Sequence, residues 1–212
     1  MARQAKLHFV TVLTLARFPL VVAFFAGAII YGDHPHLWLF ALTFACLVAA
    51  AVTDLFDGYF ARRFGVETAF GAHVDPLMDK FFYLSTLPLL VFVAARSGHI
   101  RHAIFLLVLT LLFLTRDQWV TFLRSIGSMY NVSGGAHWSG KLRTCINFPL
   151  ICAVYHVEAS PRQIIPPLLL YAFEVVAFAV NLISLWIYTR KYWPYFCKAA
   201  AFNRAGNDKP TA

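Results

Sequence analysis

Four of the ten acidic residues in this 212-residue chain, Asp54, Asp57, Asp75 and Asp79, fall within one short stretch that is flanked on both sides by long apolar runs. Ionised carboxylates at membrane depth cost roughly 2.5–3.5 kcal/mol each on insertion scales, so a group of four requires compensating cations. On helices, Asp54 and Asp57 (i, i+3) share one face, and so do Asp75 and Asp79 (i, i+4). Two helix ends can thus meet around one cation cluster. Oxygen-only ligands favour hard divalent ions, Mg²⁺, Mn²⁺ or Ca²⁺, over zinc. Four carboxylates can hold two such ions, an arrangement that clamps the attacking and leaving oxygens of a phosphoryl-type displacement. The residues between them suit the same ligand. Gly58 and Ala61 are small enough for phosphates to approach closely, Arg62 offers a forked donor to phosphate oxygens, and Gly71 permits a turn or close contact.

The elements that must carry these residues follow from composition. The chain is 60% hydrophobic and 13% charged, whereas a soluble domain carries about 25% charge. Six apolar segments of about 20 residues or more can be cut from it. The expected fold is therefore all-α: a polytopic integral membrane protein with six transmembrane helices and both termini cytoplasmic. The expected spans are about Phe9–Tyr31, Leu37–Phe56, from near Ala72 onward, His102–Ile126, Ser139–His156 and Leu168–Tyr188. Residues 1–190 form one membrane domain, and 191–212 a basic, then polar, cytoplasmic tail. Gly127–Gly140, rich in Ser, Gly and Asn, is expected as a cytoplasmic loop.

A formal charge of +8 raises the question of nucleic acid, but the distribution of the basic residues argues against it. With six spans, twelve basic residues, among them Arg62, Arg63, Arg124, Lys141, Arg143, Arg190 and Lys191, lie inside, and only Arg96, Arg101 and Arg162 lie outside. That asymmetry follows the positive-inside rule and places the aspartates at the cytoplasmic face, where the cations also suit anionic headgroups and phosphorylated substrates. The four cysteines have no metal or redox spacing, and no Ser-His or Cys-His pairing points to a covalent nucleophile. In the first span Thr11, Thr14 and Arg17 form a polar stripe, and Arg17 either snorkels to headgroups or faces a phosphate.

The pattern Asp54-x-x-Asp57-Gly58-x-x-Ala61-Arg62, eight residues, then Gly71-x-x-x-Asp75-x-x-x-Asp79, resembles the complete signature of the CDP-alcohol phosphotransferases, with no position missing. The resemblance implies attack of an alcohol hydroxyl on the β-phosphorus of a CDP-linked donor with release of CMP. It implies that Asp54, Asp57, Asp75 and Asp79 hold two divalent cations, Mg²⁺ or Mn²⁺, with Asp79 also the general base. Gly58, Ala61, Arg62 and Gly71 would lie along the cytidine diphosphate. Thr14-Leu15-Ala16-Arg17-Phe18-Pro19 is loosely similar to the opening of the lipid-synthesising members, which adds Thr14 to the donor side. A homodimer in the inner membrane of a prokaryotic cell is implied in the same way.

For the acceptor, Arg116-Asp117, Arg124 and Gly140-Lys141-Leu142-Arg143-Thr144 are similar to the pattern of the family members that use glycerol 3-phosphate, with Asp117 and Arg143 in place of the usual Glu and Lys. Four cations, Arg116, Arg124, Lys141 and Arg143, suit an acceptor that carries a phosphate. The expected reaction thus joins CDP-diacylglycerol to glycerol 3-phosphate among membrane lipids, with no nucleic-acid partner. Inositol phosphate, phosphatidylglycerol and serine are the alternative acceptors. An ion or metal transporter also accounts for buried aspartates, but no inverted repeat is evident.

Overall fold

The computed structural model describes the backbone of residues 2–66, 69–132 and 138–206, and not the side chains of 2, 3, 5, 54, 55, 57, 58, 61, 62, 69–73, 75, 138–144 and 202–206. Six helices follow one another: α1 (Ala2–Asp33), α2 (Leu37–Phe64), α3 (Ala69–Arg96), α4 (Ile100–Met129), α5 (Trp138–Ala159) and α6 (Pro167–Gly206). No strand occurs among the described residues. A helix satisfies its backbone donors and acceptors within one segment, which a chain this apolar must do wherever lipid replaces water. Among the described residues four stretches, Lys6–Asp33, Pro76–Arg96, Ile100–Met129 and Pro167–Ala201, are long and apolar enough to cross a membrane. Many large apolar side chains, such as Val12, Leu84, Leu111 and Trp186, are exposed. That surface fits a lipid-facing one, and the protein is an integral membrane protein.

The helix ends are set by local chemistry. After α3, His99 N–H donates to Ala94 O and Gly98 N–H to Ala95 O, with Gly98 at φ 83°. After α4, Val132 N–H donates to Gly127 O and Asn131 N–H to Ser128 O, with Asn131 at φ 56°. Both are Schellman closures, which need a residue tolerant of the left-handed conformation. The α2–α3 connection turns at Gly65 (φ 59°), one residue past the end of α2.

Contacts divide the chain into two compact units. The first comprises Met1–Val108 with Phe148–Tyr171. Its core includes Phe24 edge-on to Tyr155 (4.9 Å) and Phe82 against Phe148 (4.9 Å). α1 and α2 approach closely where Gly27 faces the Thr43 methyl group, and the Thr43 and Tyr155 hydroxyls share a buried hydrogen bond of 2.9 Å. At one end of this unit Arg96 Nη2 pairs with Asp33 (2.6 Å). There too Glu158 takes the Nδ1 atoms of His99 and His102 on its two oxygens, at 2.8 and 2.6 Å. The second unit comprises Leu109–Asn147 with Ala172–Ala212. Val120, Leu123, Tyr188 and Tyr192 form its core, and Gly127 allows the Tyr192 ring to lie against α4.

Several elements depart from expectation. α3 starts at Ala69, so Asp75 and Asp79 stand about two and three turns inside it, beyond the first turn where the macrodipole acts. Gly127 belongs to α4 rather than to the loop after it. α6 does not stop near Tyr188 but continues through Gly206 with Pro194 inside it, its last turns carried by the helix-favouring Ala199–Ala201 run.

Candidate active site

α2 carries Asp54, Asp57, Gly58, Ala61 and Arg62, and α3 carries Gly71, Asp75 and Asp79. Of these, Asp79 alone has its side chain among the described residues; the predicted positions of the other seven side chains lie outside them. Asp79 accepts a hydrogen bond on Oδ1 from Arg17 Nη1 at 2.9 Å. The arginine side chain is 1% exposed and the aspartate 46%. Neither relies on that contact alone, since both take part in further interactions.

This pairing supplies what the position of α3 does not. A carboxylate three turns into a helix gains little from the dipole, and a guanidinium beside it offsets the cost of the charge. It also decides the role of Arg17 within α1. A side chain this deeply buried does not reach headgroups, so Arg17 does not snorkel. Thr14, also buried, turns its hydroxyl back to Val10 O at 3.2 Å, and Thr11 does the same to Leu7 O at 3.0 Å. Such bonds let hydroxyls sit in an apolar helix without an outside partner.

The basic residues expected to meet an acceptor lie in the second unit. Lys141 and Arg143 belong to α5, with side chains outside the described residues. Arg116 and Arg124 stand on α4, and one residue of α6 joins them. The Tyr188 ring lies 5.2 Å from the Arg116 guanidinium and 5.1 Å from that of Arg124. Arg124 Nη2 donates to the Tyr188 hydroxyl at 2.9 Å, and Arg116 Nη2 donates to Ser184 Oγ at 2.6 Å. Asp117 Oδ1 is 3.6 Å from Arg116 Nη1, a glancing contact between adjacent residues rather than a fork-on-fork pair.

Sequence reasoning missed Ser184 and Tyr188. The signal was present in their spacing, because Asn181, Ser184 and Tyr188 (i, i+3, i+7) mark one face of α6, and all three are fully buried. It also passed over the Glu158 cluster with His99 and His102. That cluster sits beside a cavity of about 200 Å³ lined in part by Tyr31, Arg96, Tyr155 and Glu158.

Among the described residues no three His, Cys, Asp or Glu side chains are grouped to hold a metal. The donor set proposed for one is all carboxylate, which by its chemistry fits a hard divalent cation. Asp79, with one oxygen on Arg17 and an exposed carboxylate, is compatible with that set.

Comparison with known proteins agrees with the motif. The chain matches the CDP-alcohol phosphatidyltransferase family over residues 7–189, and it belongs to that family. It is 36% identical over 145 residues to a probable phosphatidylglycerophosphate synthase of Mycobacterium tuberculosis, an overlap that covers 68% of this chain and 63% of that one. It is 33% identical over 162 residues to a CDP-diacylglycerol–glycerol-3-phosphate 3-phosphatidyltransferase of Cereibacter sphaeroides (74% and 68% covered). To a protein of the same name from Pseudomonas fluorescens it is 27% identical over 192 residues (89% and 90% covered). The chain thus spans a little under two thirds of the mycobacterial relative's length.

Proposed function

We propose that the protein transfers the phosphatidyl group of CDP-diacylglycerol to glycerol 3-phosphate, giving phosphatidylglycerophosphate and CMP. The observation that carries this reading is the family match over residues 7–189, which contains both the unbroken aspartate motif and the arginine pair on α4. The names of the relatives from Mycobacterium tuberculosis and Cereibacter sphaeroides support the choice of acceptor.

The reaction is a direct displacement. The acceptor hydroxyl oxygen forms a bond to the β-phosphorus of the donor, the bond from that phosphorus to the bridging oxygen breaks, and CMP leaves with the bridging electrons. Asp79 takes the hydroxyl proton as general base, its carboxylate held by Arg17. Asp54, Asp57 and Asp75, with Asp79, would hold two divalent cations, Mg²⁺ or Mn²⁺, and these, when bound, offset the charge of the diphosphate and of the leaving phosphate. Gly58, Ala61, Gly71 and Thr14 would lie along the cytidine diphosphate, and Arg62 would pair with its oxygens. Arg116, Arg124, Lys141 and Arg143 receive the phosphate of the acceptor.

All six helices cross the bilayer in this reading, with α2 at 28 residues and α5 at 22 long enough to do so. The distribution of Lys and Arg supports cytoplasmic termini and a cytoplasmic motif, in the inner membrane of a prokaryotic cell. Residues 1–190 act as one catalytic membrane domain with 191–212 as its tail, and the resemblance supports a homodimer. The test is release of CMP by the purified protein offered CDP-diacylglycerol and a panel of acceptors. Turnover with glycerol 3-phosphate that EDTA stops, and that Asp57→Asn and Asp79→Asn abolish, is expected. Turnover with serine or phosphatidylglycerol but none with glycerol 3-phosphate overturns the assignment.

A further inference from the structure

We infer that Tyr188, on α6, is the positioning residue of an anion site: it holds Arg124, and with Ser184 holds Arg116, in readiness for a phosphate monoester. The inference rests on the proposed acceptor, since it adds to the arginines the neutral groups that aim them.

Each guanidinium has a different hold on the same phenol. Arg124 donates from Nη2 to the Tyr188 oxygen at 2.9 Å and also lies 5.1 Å from the centre of the ring. Arg116 lies 5.2 Å from that centre and spends its Nη2 donor on Ser184 at 2.6 Å. The phenol is itself fixed. It is fully buried, packs with Val120 and Leu123, and runs parallel to the Tyr192 ring at 6.4 Å. A π face attracts a cation without cancelling its charge, and a hydroxyl fixes orientation while remaining neutral. A carboxylate in the place of Tyr188 would instead neutralise the guanidinium it held.

Arg124 shows that the arrangement is unfinished. Its Nε is buried and has no hydrogen-bond partner among the described residues. A buried guanidinium donor left unused is costly, and the species that best completes an arginine fork is an anion with two oxygens to offer, such as a phosphate. Two cations locked onto one ring, eight residues apart on α4 and so on one side of that helix, with the long 3.6 Å contact of Asp117 to Arg116 only partly offsetting them, suit an anion rather than a neutral alcohol.

The test uses the full-length protein in detergent, titrated calorimetrically with glycerol 3-phosphate and separately with inorganic phosphate. KM values for acceptor and donor are measured alongside. Tyr188→Phe keeps the ring and removes the hydroxyl, and is expected to weaken binding of both anions and to raise the acceptor KM by about five- to tenfold. Tyr188→Leu removes both holds and is expected to weaken them by more than the phenylalanine variant does. The KM for CDP-diacylglycerol stays within about twofold in Tyr188→Phe, a split that a general loss of packing does not produce. Unchanged phosphate and glycerol 3-phosphate affinity in Tyr188→Phe overturns the inference, as does a wild-type protein that binds neither anion. A wild-type protein that binds inorganic phosphate through Tyr188 but turns over with a different phosphorylated alcohol sinks the choice of glycerol 3-phosphate and upholds the positioning role.

Discussion

The Arg17–Asp79 pair makes an asymmetric prediction. Arg17 has a side chain 1% exposed, and Asp79 one that is 46% exposed. Asp79→Ala therefore leaves a guanidinium that water cannot reach, whereas Arg17→Leu leaves a carboxylate that water can. Breaking a buried pair from the side that strands the buried charge costs about 3–5 kcal/mol, and the remaining interactions of Arg17 put the expected loss near the lower figure, about 3 kcal/mol. Removing the arginine loses a charged hydrogen bond whose other partner is solvated, for about 1.5 kcal/mol. For a chain of this length those losses correspond to falls in Tm of about 6–12 °C and 3–6 °C. Thermal unfolding of the single and double variants, followed by tryptophan fluorescence in detergent with EDTA present, reads both quantities. The double variant is expected to lose at least about 1 kcal/mol less than the sum of the singles, because each change removes the same interaction. Additive losses, or an Arg17→Leu variant that unfolds below Asp79→Ala, would refute the argument that the buried partner depends on the exposed one.

Three further outcomes follow from packing. A side chain at Gly127 would place its Cβ 2.5 Å from Tyr192 Cε1; because Tyr192 is fully buried it cannot swing aside, and Gly127→Val should cost about 1–3 kcal/mol, seen as a lower Tm. Thr43→Val leaves the Tyr155 hydroxyl without the partner it has at 2.9 Å, for a loss of about 1–3 kcal/mol in the same assay. Glu158→Leu takes the acceptor from His99 and His102 and should lower the Tm by several degrees. It should leave the KM for CDP-diacylglycerol within about twofold, since Arg96, next to the Ser97 that bonds Glu158 O, is about 26 Å along α3 from Asp79.

Much of the architecture was legible because hydrophobic runs of membrane length have few alternatives to helix. The ends at Gly98 and Asn131 carry residue types that favour the left-handed conformation their closures use. The aspartate motif was legible because its spacing is local. The partner of Asp79 was not, since Arg17 is 62 positions away and a sequence records a charge without recording what it faces. Assigning Asp75 and Asp79 to the start of a helix relied on Gly71 as a breaker, while the chain turned at Gly65 instead. Gly127 misled for a related reason: its lack of a side chain serves the close approach of Tyr192, not a turn. The hold of Tyr188 on two arginines was hidden because tyrosine in an apolar helix reads equally as packing.

The length of α6 has a mechanical consequence. Its 40 residues measure about 60 Å along the helix, twice a hydrocarbon thickness of about 30 Å, which is more than one crossing needs. Lys191 and Lys198 set their ammonium groups over Tyr192 and Tyr195 in its second half. Pro194 lies within that half and removes one backbone hydrogen bond there, so any bend between the membrane-embedded turns and the far end is expected at that residue.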